Sequence, residues 1–176
     1  MATVLTLWLG LGTVLLAAGA EDELKFATVL AFVQNAHWAE QLAHGGSLTV
    51  GVVGRAEFAR GLSAGAAGKT VNGHPLRVLS LGTPVDPHCC QVLYFATDRT
   101  SEIKPALQTF SSAHVLTIGE CDDFLDLGGA VNLFIQDGHM AFEVSLATLT
   151  RAGIEIGSKL LRFGQIRDLR NARPAK

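Results

Sequence analysis

The feature that most constrains this chain is the order of its apolar runs. "SLTVGVVG" (47–54) and "CQVLYFAT" (90–97) are short, nearly continuous apolar runs that fit strands buried on both faces, and "HPLRVLSLG" (74–82) and "AHVLTIGE" (113–120) also read as strands. Between them lie "AEFARGLSAGAA" and "RTSEIKPALQTFS", whose spacing predicts helices. Strand and helix in alternation predict right-handed crossovers and a mainly parallel sheet covered by helices on both faces, an α/β fold. The last third differs. "GGAVNLFIQDGHMAFEVS" (128–145) has two β-rich runs joined by Asp137-Gly138, which predicts an antiparallel hairpin extending or edging that sheet. Short terminal helices follow: Ser145 is placed to cap "LATLTRAG", with Gly153 at its left-handed exit. "IEIG" reads as a short strand, and Ser158 is placed to cap "KLLRFGQI".

The chain begins with twenty residues, "MATVLTLWLGLGTVLLAAGA", that carry no charged side chain. An apolar core followed by Ala18-Gly19-Ala20 has the form of a signal peptide over residues 1–20, although its start lacks the usual Lys or Arg. Cleavage after Ala20 leaves residues 21–176 as a single domain, large enough to bury a core. A retained membrane anchor is the alternative. "EDELKFATVLAFVQNAHWAE" then predicts a buried helix, its three leading acids favouring the positive end of the helix dipole, with His37 and Trp38 as packing residues where it ends.

Composition removes several function classes. The formal net charge is −2, so no chain-wide basic field exists to hold nucleic acid, and the basic tail "RDLRNARPAK" reads as a solvated terminus. "GAAGKTVNG" (65–73) contains Gly-Lys-Thr, which closes a phosphate loop. Its required first glycine falls on Ser63, however, and helix precedes strand where the loop needs the reverse. The stretch is instead a helix exit at Gly65 and Gly68 and a turn at Asn72-Gly73. His88-Cys89-Cys90 lacks the spacing by which two ligands converge on zinc, and His44, His74, His114 and His139 are scattered. "GxSxG" is absent. The expectation is no catalytic residue, no metal and no cofactor.

Five residues stand out as candidates. Cys89, Cys90 and Cys121 are the only thiols, in a chain whose export would place them where disulfides persist. Cys89 and Cys90 open one strand and Cys121 lies past the end of another. Six residues of strand cover about 20 Å and bridged Cα atoms lie within about 7 Å, so adjacent parallel strands keep Cys121 from both. Cys121 is then free or pairs across a dimer, and Cys90 reads as a buried inert thiol. Glu143 in "AFEVS" and Lys159 in "SKLLRF" are candidates for an ion pair that fixes the C-terminal segment, or for a ligand or partner site.

The ordered blocks "AGKTVNGHPLRVLSL", "CCQVLYFA", "VLTIGE" and "GGAVNLFIQDGHMAFEVSLATLTRAGIEIGSKLLRFGQI", together with the opening helix, resemble the YfiR-like family of secreted bacterial regulators. The resemblance covers nearly the whole chain after residue 20, and its most specific part runs from Gly128 to Leu161. It implies a periplasmic protein that binds the periplasmic sensory domain of an inner-membrane diguanylate cyclase, or another inner-membrane sensor, and represses it. Lower cyclic di-GMP and less biofilm would follow. It also implies redox-linked disulfides, one of them in the segment after the fourth strand; here "ECDDFLDLGG" holds Cys121 alone. Paired regulators are often homodimers. A periplasmic small-molecule receptor acting on a sensor kinase or transporter is the alternative, and it would carry a pocket at the carboxyl ends of the parallel strands.

Overall fold

The computed structural model describes residues 9–38, 46–82, 84–86, 89–110 and 114–167. In chain order the elements are α1 (Leu9–Asn35), β1 (Ala36–Trp38), β2 (Leu48–Gly54), α2 (Ala56–Ala66), β3 (Thr70–Val71), β4 (His74–Leu81), β5 (Val92–Ala96) and α3 (Thr100–Thr109). They continue with β6 (Leu116–Gly119), β7 (Val131–Gln136), β8 (His139–Val144), α4 (Leu146–Arg151), β9 (Ile154–Ile156), α5 (Ser158–Leu161) and β10 (Gln165–Ile166). No helix among the described residues is long and apolar enough to cross a membrane.

Eight strands form one mixed sheet in the order β10-β8-β7-β6-β5-β2-β4-β3. From β4 through β2, β5 and β6 to β7 every neighbouring pair is parallel. The chain places β4 on one side of β2 and then returns to lay β5 on the other. That reversal opens a crevice above the carboxyl ends of β2 and β5. Strand alternation divides the core in two. Val50, Val52, Val92, Tyr94, Leu116 and Ile118 face α1 and α2, through Val29, Phe32, Phe58 and Leu62. Val53, Leu93 and Phe95 face the other way, onto Ile103 and Ala106 of α3 and onto Phe124.

Asp137 and Gly138 both have positive φ, 51° and 76°, and join β7 to β8 as an antiparallel hairpin. Asn72 and Gly73 likewise have φ of 51° and 83°. The Gly-Lys-Thr stretch is thus a helix exit followed by the small hairpin β3–β4. The Ser145 hydroxyl accepts a hydrogen bond from the Thr148 N–H, and Gly153 turns with φ of 66°, as those residue types require at a helix start and exit.

Four local expectations are refined or corrected. In the uncleaved chain α1 runs over Leu9–Asn35, so Glu21, Asp22 and Glu23 lie within it and would stand at its positive end after cleavage at Ala20. Past the end of α1, where Trp38 packs against the core as expected, Ala36, His37 and Trp38 also form strand β1, which pairs antiparallel with β9 as a separate two-stranded sheet. Ser158 is the first residue of α5 rather than its cap, which is Gly157, and the helix stops at Leu161. "GQI" instead supplies β10, parallel to β8, so β10 and not the hairpin forms that edge.

Candidate functional site

The crevice at the carboxyl ends of β2, β5 and β6 gathers charged residues from four elements. Each strand is apolar until it leaves the sheet, so its first exposed position is where a charge can enter. At the end of β2, Gly54 has φ of 106°, and a Cβ there would collide with the Ala96 carbonyl oxygen. The glycine lets the two strand ends close, and the Arg55 N–H donates to that carbonyl at 3.2 Å. β5 is followed directly by Thr97, whose hydroxyl oxygen accepts from the Arg99 N–H at 3.2 Å. β6 is followed directly by Glu120.

Glu120 is the hub. Its side chain is 11% exposed, and it accepts the Lys25 ammonium at 2.5 Å and the Arg55 guanidinium at 3.3 Å. The Tyr94 hydroxyl donates to Glu120 Oε2 at 3.2 Å. Glu21 and Asp22 close the network from α1. Glu21 lies 2.6 Å from Lys25, one helical turn away, and both Asp22 oxygens receive Arg55 at 3.1 Å. Burial works to lower the Lys25 pKa, but hydrogen bonds and attraction to Glu120 and Glu21 outweigh it and raise the pKa. Arg55 follows the same balance, with Glu120 and Asp22 outweighing burial. Burial, followed by the Glu120 charge, pushes the Tyr94 phenol far up, so it stays protonated as a donor.

An aromatic floor supports these charges. Phe58 stacks on Tyr94 with centroids 4.5 Å apart and planes 7° apart, and Phe26 meets Phe58 edge-on at 4.6 Å. The Arg55 guanidinium carbon lies 5.3 Å above the Phe58 ring, within cation–π range. A cleft of about 460 Å³ opens between α1 and the strand ends, lined by Glu21, Asp22, Lys25, Arg55, Asp98 and Arg99 among others. A second cleft of about 380 Å³ opens beyond Arg55 and Arg99 toward Leu81 and Glu102. Chemically the arrangement is a largely self-neutralised charge cluster beside open volume, suited to holding a charged group.

The residues singled out from sequence lie elsewhere. Cys89 is half-buried, Cys90 and Cys121 are buried, and all three are free thiols. The Cys89 and Cys90 sulfurs are 3.3 Å apart, while Cys121 follows the far end of β6. Burial raises the pKa of both Cys90 and Cys121. Glu143 does not meet Lys159. It pairs with Arg167 at 3.3 Å and accepts the Asn132 amide at 3.2 Å, while Arg167 also reaches Asp126 at 3.2 Å. Arg167 directly follows β10 beside β8, which is why it, and not the exposed Lys159 of α5, reaches Glu143. His74 and His114 place Nδ1 against the carbonyls of Gly46 and Ala152, His139 is exposed, and His44 and His88 lie outside the described residues. Among the described residues no group of three or more His, Cys, Asp or Glu is placed to hold a metal ion.

Lys25, Arg55, Tyr94, Arg99 and Glu120 were missed as a set because their sequence separations are long. A signal was nonetheless present: "VVGR", "FATDR" and "TIGE" each place a charge just beyond a buried strand, where ligands enter parallel sheets. A family model described as YfiR/HmsC-like matches residues 22–165, a span that includes all five. No curated protein matches the chain.

Proposed function

The chain belongs to the YfiR/HmsC-like family, and from that premise we propose that it is an exported, periplasmic regulator. It binds the periplasmic sensory domain of an inner-membrane diguanylate cyclase and represses the enzyme, lowering cyclic di-GMP and with it biofilm formation. The observation that carries the reading is the family match across residues 22–165. Such a role needs a stable fold and a recognition surface, and no catalytic group.

A candidate surface supports it. Phe163 is 82% exposed and Ile166, in edge strand β10, is 55% exposed, while the other aromatic side chains whose burial is described are buried or half-buried. Solvated Phe and Ile beside a strand edge are features by which a protein partner can dock. The test is capture of the solubilised inner-membrane cyclase by the tagged protein. Wild type should retain it and the variant Phe163→Ser/Ile166→Ser should lose it. Equal retention by both removes this surface, and no retention by wild type removes the cyclase as partner.

A second reading, a small-molecule receptor, is favoured by the clefts at the carboxyl ends of β2 and β5. The two are compatible. A ligand that binds the partner-free state more tightly than the bound state would release repression.

A further inference from the structure

Within the receptor reading, on which this inference rests, the geometry points to one ligand class. We propose that the cleft above β2 and β5 binds a small carboxylate ligand on Arg55 and Arg99, and that Asp22 of α1 is a tethered competitor for the same site.

The cleft beside α1 holds four carboxylates and three cations as it stands, and its two guanidinium groups are what favour an anion. Arg55 and Arg99 line both clefts, and in the one that reaches Leu81 they face a single carboxylate, Glu102. In the other cleft the carboxylates are of two kinds. Glu120 is committed to Lys25, Arg55 and the Tyr94 hydroxyl. Glu21 and Asp22 come from α1 and are more open, their side chains 46% and 25% exposed against 11% for Glu120. With Asp22 displaced, the lining carboxylates Glu21, Asp98 and Glu120 equal the cations Lys25, Arg55 and Arg99 in number, and an incoming carboxylate supplies Arg55 with the charge that Asp22 supplied.

Backbone polarity adds to the guanidinium charge. Arg55 and Arg99 are the residues at which α2 and α3 begin, and neither helix start is capped by a side chain. Two positive helix ends therefore sit at the same crevice as two guanidinium groups. The Thr97 hydroxyl, already accepting from the Arg99 N–H, keeps its own proton to donate.

A carboxylate already demonstrates the fit. Asp22 lies across Arg55 with both oxygens at 3.1 Å, a forked contact that planar guanidinium groups make well with carboxylates. An incoming carboxylate takes that place on Arg55 and extends its other end toward Arg99. The clefts, about 460 Å³ and 380 Å³, fall within the range of small-molecule sites.

The test is titration calorimetry on the purified full chain at fixed ionic strength, with succinate, inorganic phosphate and the diamine putrescine as probes. Succinate should bind. Arg55→Gln and Arg99→Gln should each weaken it about tenfold or more, the scale of a lost charge-assisted contact. Asp22→Asn should tighten it about threefold, because the competing ion pair is a partly exposed one. Arg99 is well exposed, so its variant reports binding without the folding risk carried by Arg55→Gln. The proposal is overturned if succinate binds neither wild type nor Asp22→Asn, if Arg99→Gln binds it as wild type does, or if phosphate or putrescine binds and succinate does not. Those outcomes leave the cyclase reading standing, since capture of the cyclase is read separately through Phe163 and Ile166.

Discussion

Replacing Glu120 by Gln removes the charge on which the crevice network converges while keeping its shape. Lys25 is only 8% exposed and loses its nearer carboxylate, retaining Glu21 one turn away. Arg55 retains Asp22. Removing one partner of a buried ion pair typically costs about 3–5 kcal/mol because the other charge is left without compensation. Here the remaining carboxylates and the hydrogen-bonding capacity of the replacement amide reduce the loss to about 2 kcal/mol. For a chain of this length that lowers Tm by roughly 4–8 °C. Thermal unfolding followed by circular dichroism reads the effect directly. Glu102→Gln is the control, since its partner Arg99 is 72% exposed, and it should leave Tm unchanged. A Glu120→Gln variant within about 1 °C of wild type, the scale of ordinary surface substitutions, would refute the view that Glu120 compensates a buried cation.

Other consequences follow from the same structure. Lys25 has a folded pKa above its unfolded value, so its share of stability is complete below the unfolded pKa of about 10.4 and is lost as pH rises through the folded value. The stability difference between wild type and Lys25→Met, measured by denaturant titration, should be constant near neutral pH and change only at strongly alkaline pH; a change centred near neutrality would contradict it. Gly54→Ala places a Cβ at φ of 106° and against the Ala96 carbonyl, and should destabilise by at least about 2 kcal/mol in the same assay. A wild-type unfolding curve would show that β2 and β5 need not close there. Under reductant, a maleimide should modify Cys89 first, and Cys90 and Cys121 only on unfolding, because both are buried with raised thiol pKa. Equal rates at all three, read by peptide mass spectrometry, would contradict their placement.

Much of the fold was legible because its signals are local. The runs around Val50, Tyr94 and Ile118 are apolar on consecutive residues, which only a strand covered on both faces tolerates, and Asp137-Gly138 dictates its own turn. β1 and β9 were missed as a pair because each has three residues, too few to display a period, and Ala36 finds its partner at Ile156. β10 has two residues and follows the four-residue α5, so "KLLRFGQI" reads as one helix until Gly164 and the edge of β8 are in place. The site was less legible for the same reason. Lys25 looks like one polar residue on an apolar helix until the fold brings Glu120 to it, and Glu143 is nearer in sequence to Lys159 than to Arg167, which in fact reaches it. Chemistry assembled across strand ends is written in no single window.

The regulatory role is tested most directly by cellular cyclic di-GMP. The nucleotide is quantified by mass spectrometry in the parent strain, in a strain lacking the gene, and in that strain complemented with wild type or with Phe163→Ser/Ile166→Ser. Repression of a diguanylate cyclase predicts a rise on deletion, a return to the parental level with wild type and no return with the double variant. A level that stays flat on deletion, under conditions where the protein is made and exported, would contradict it.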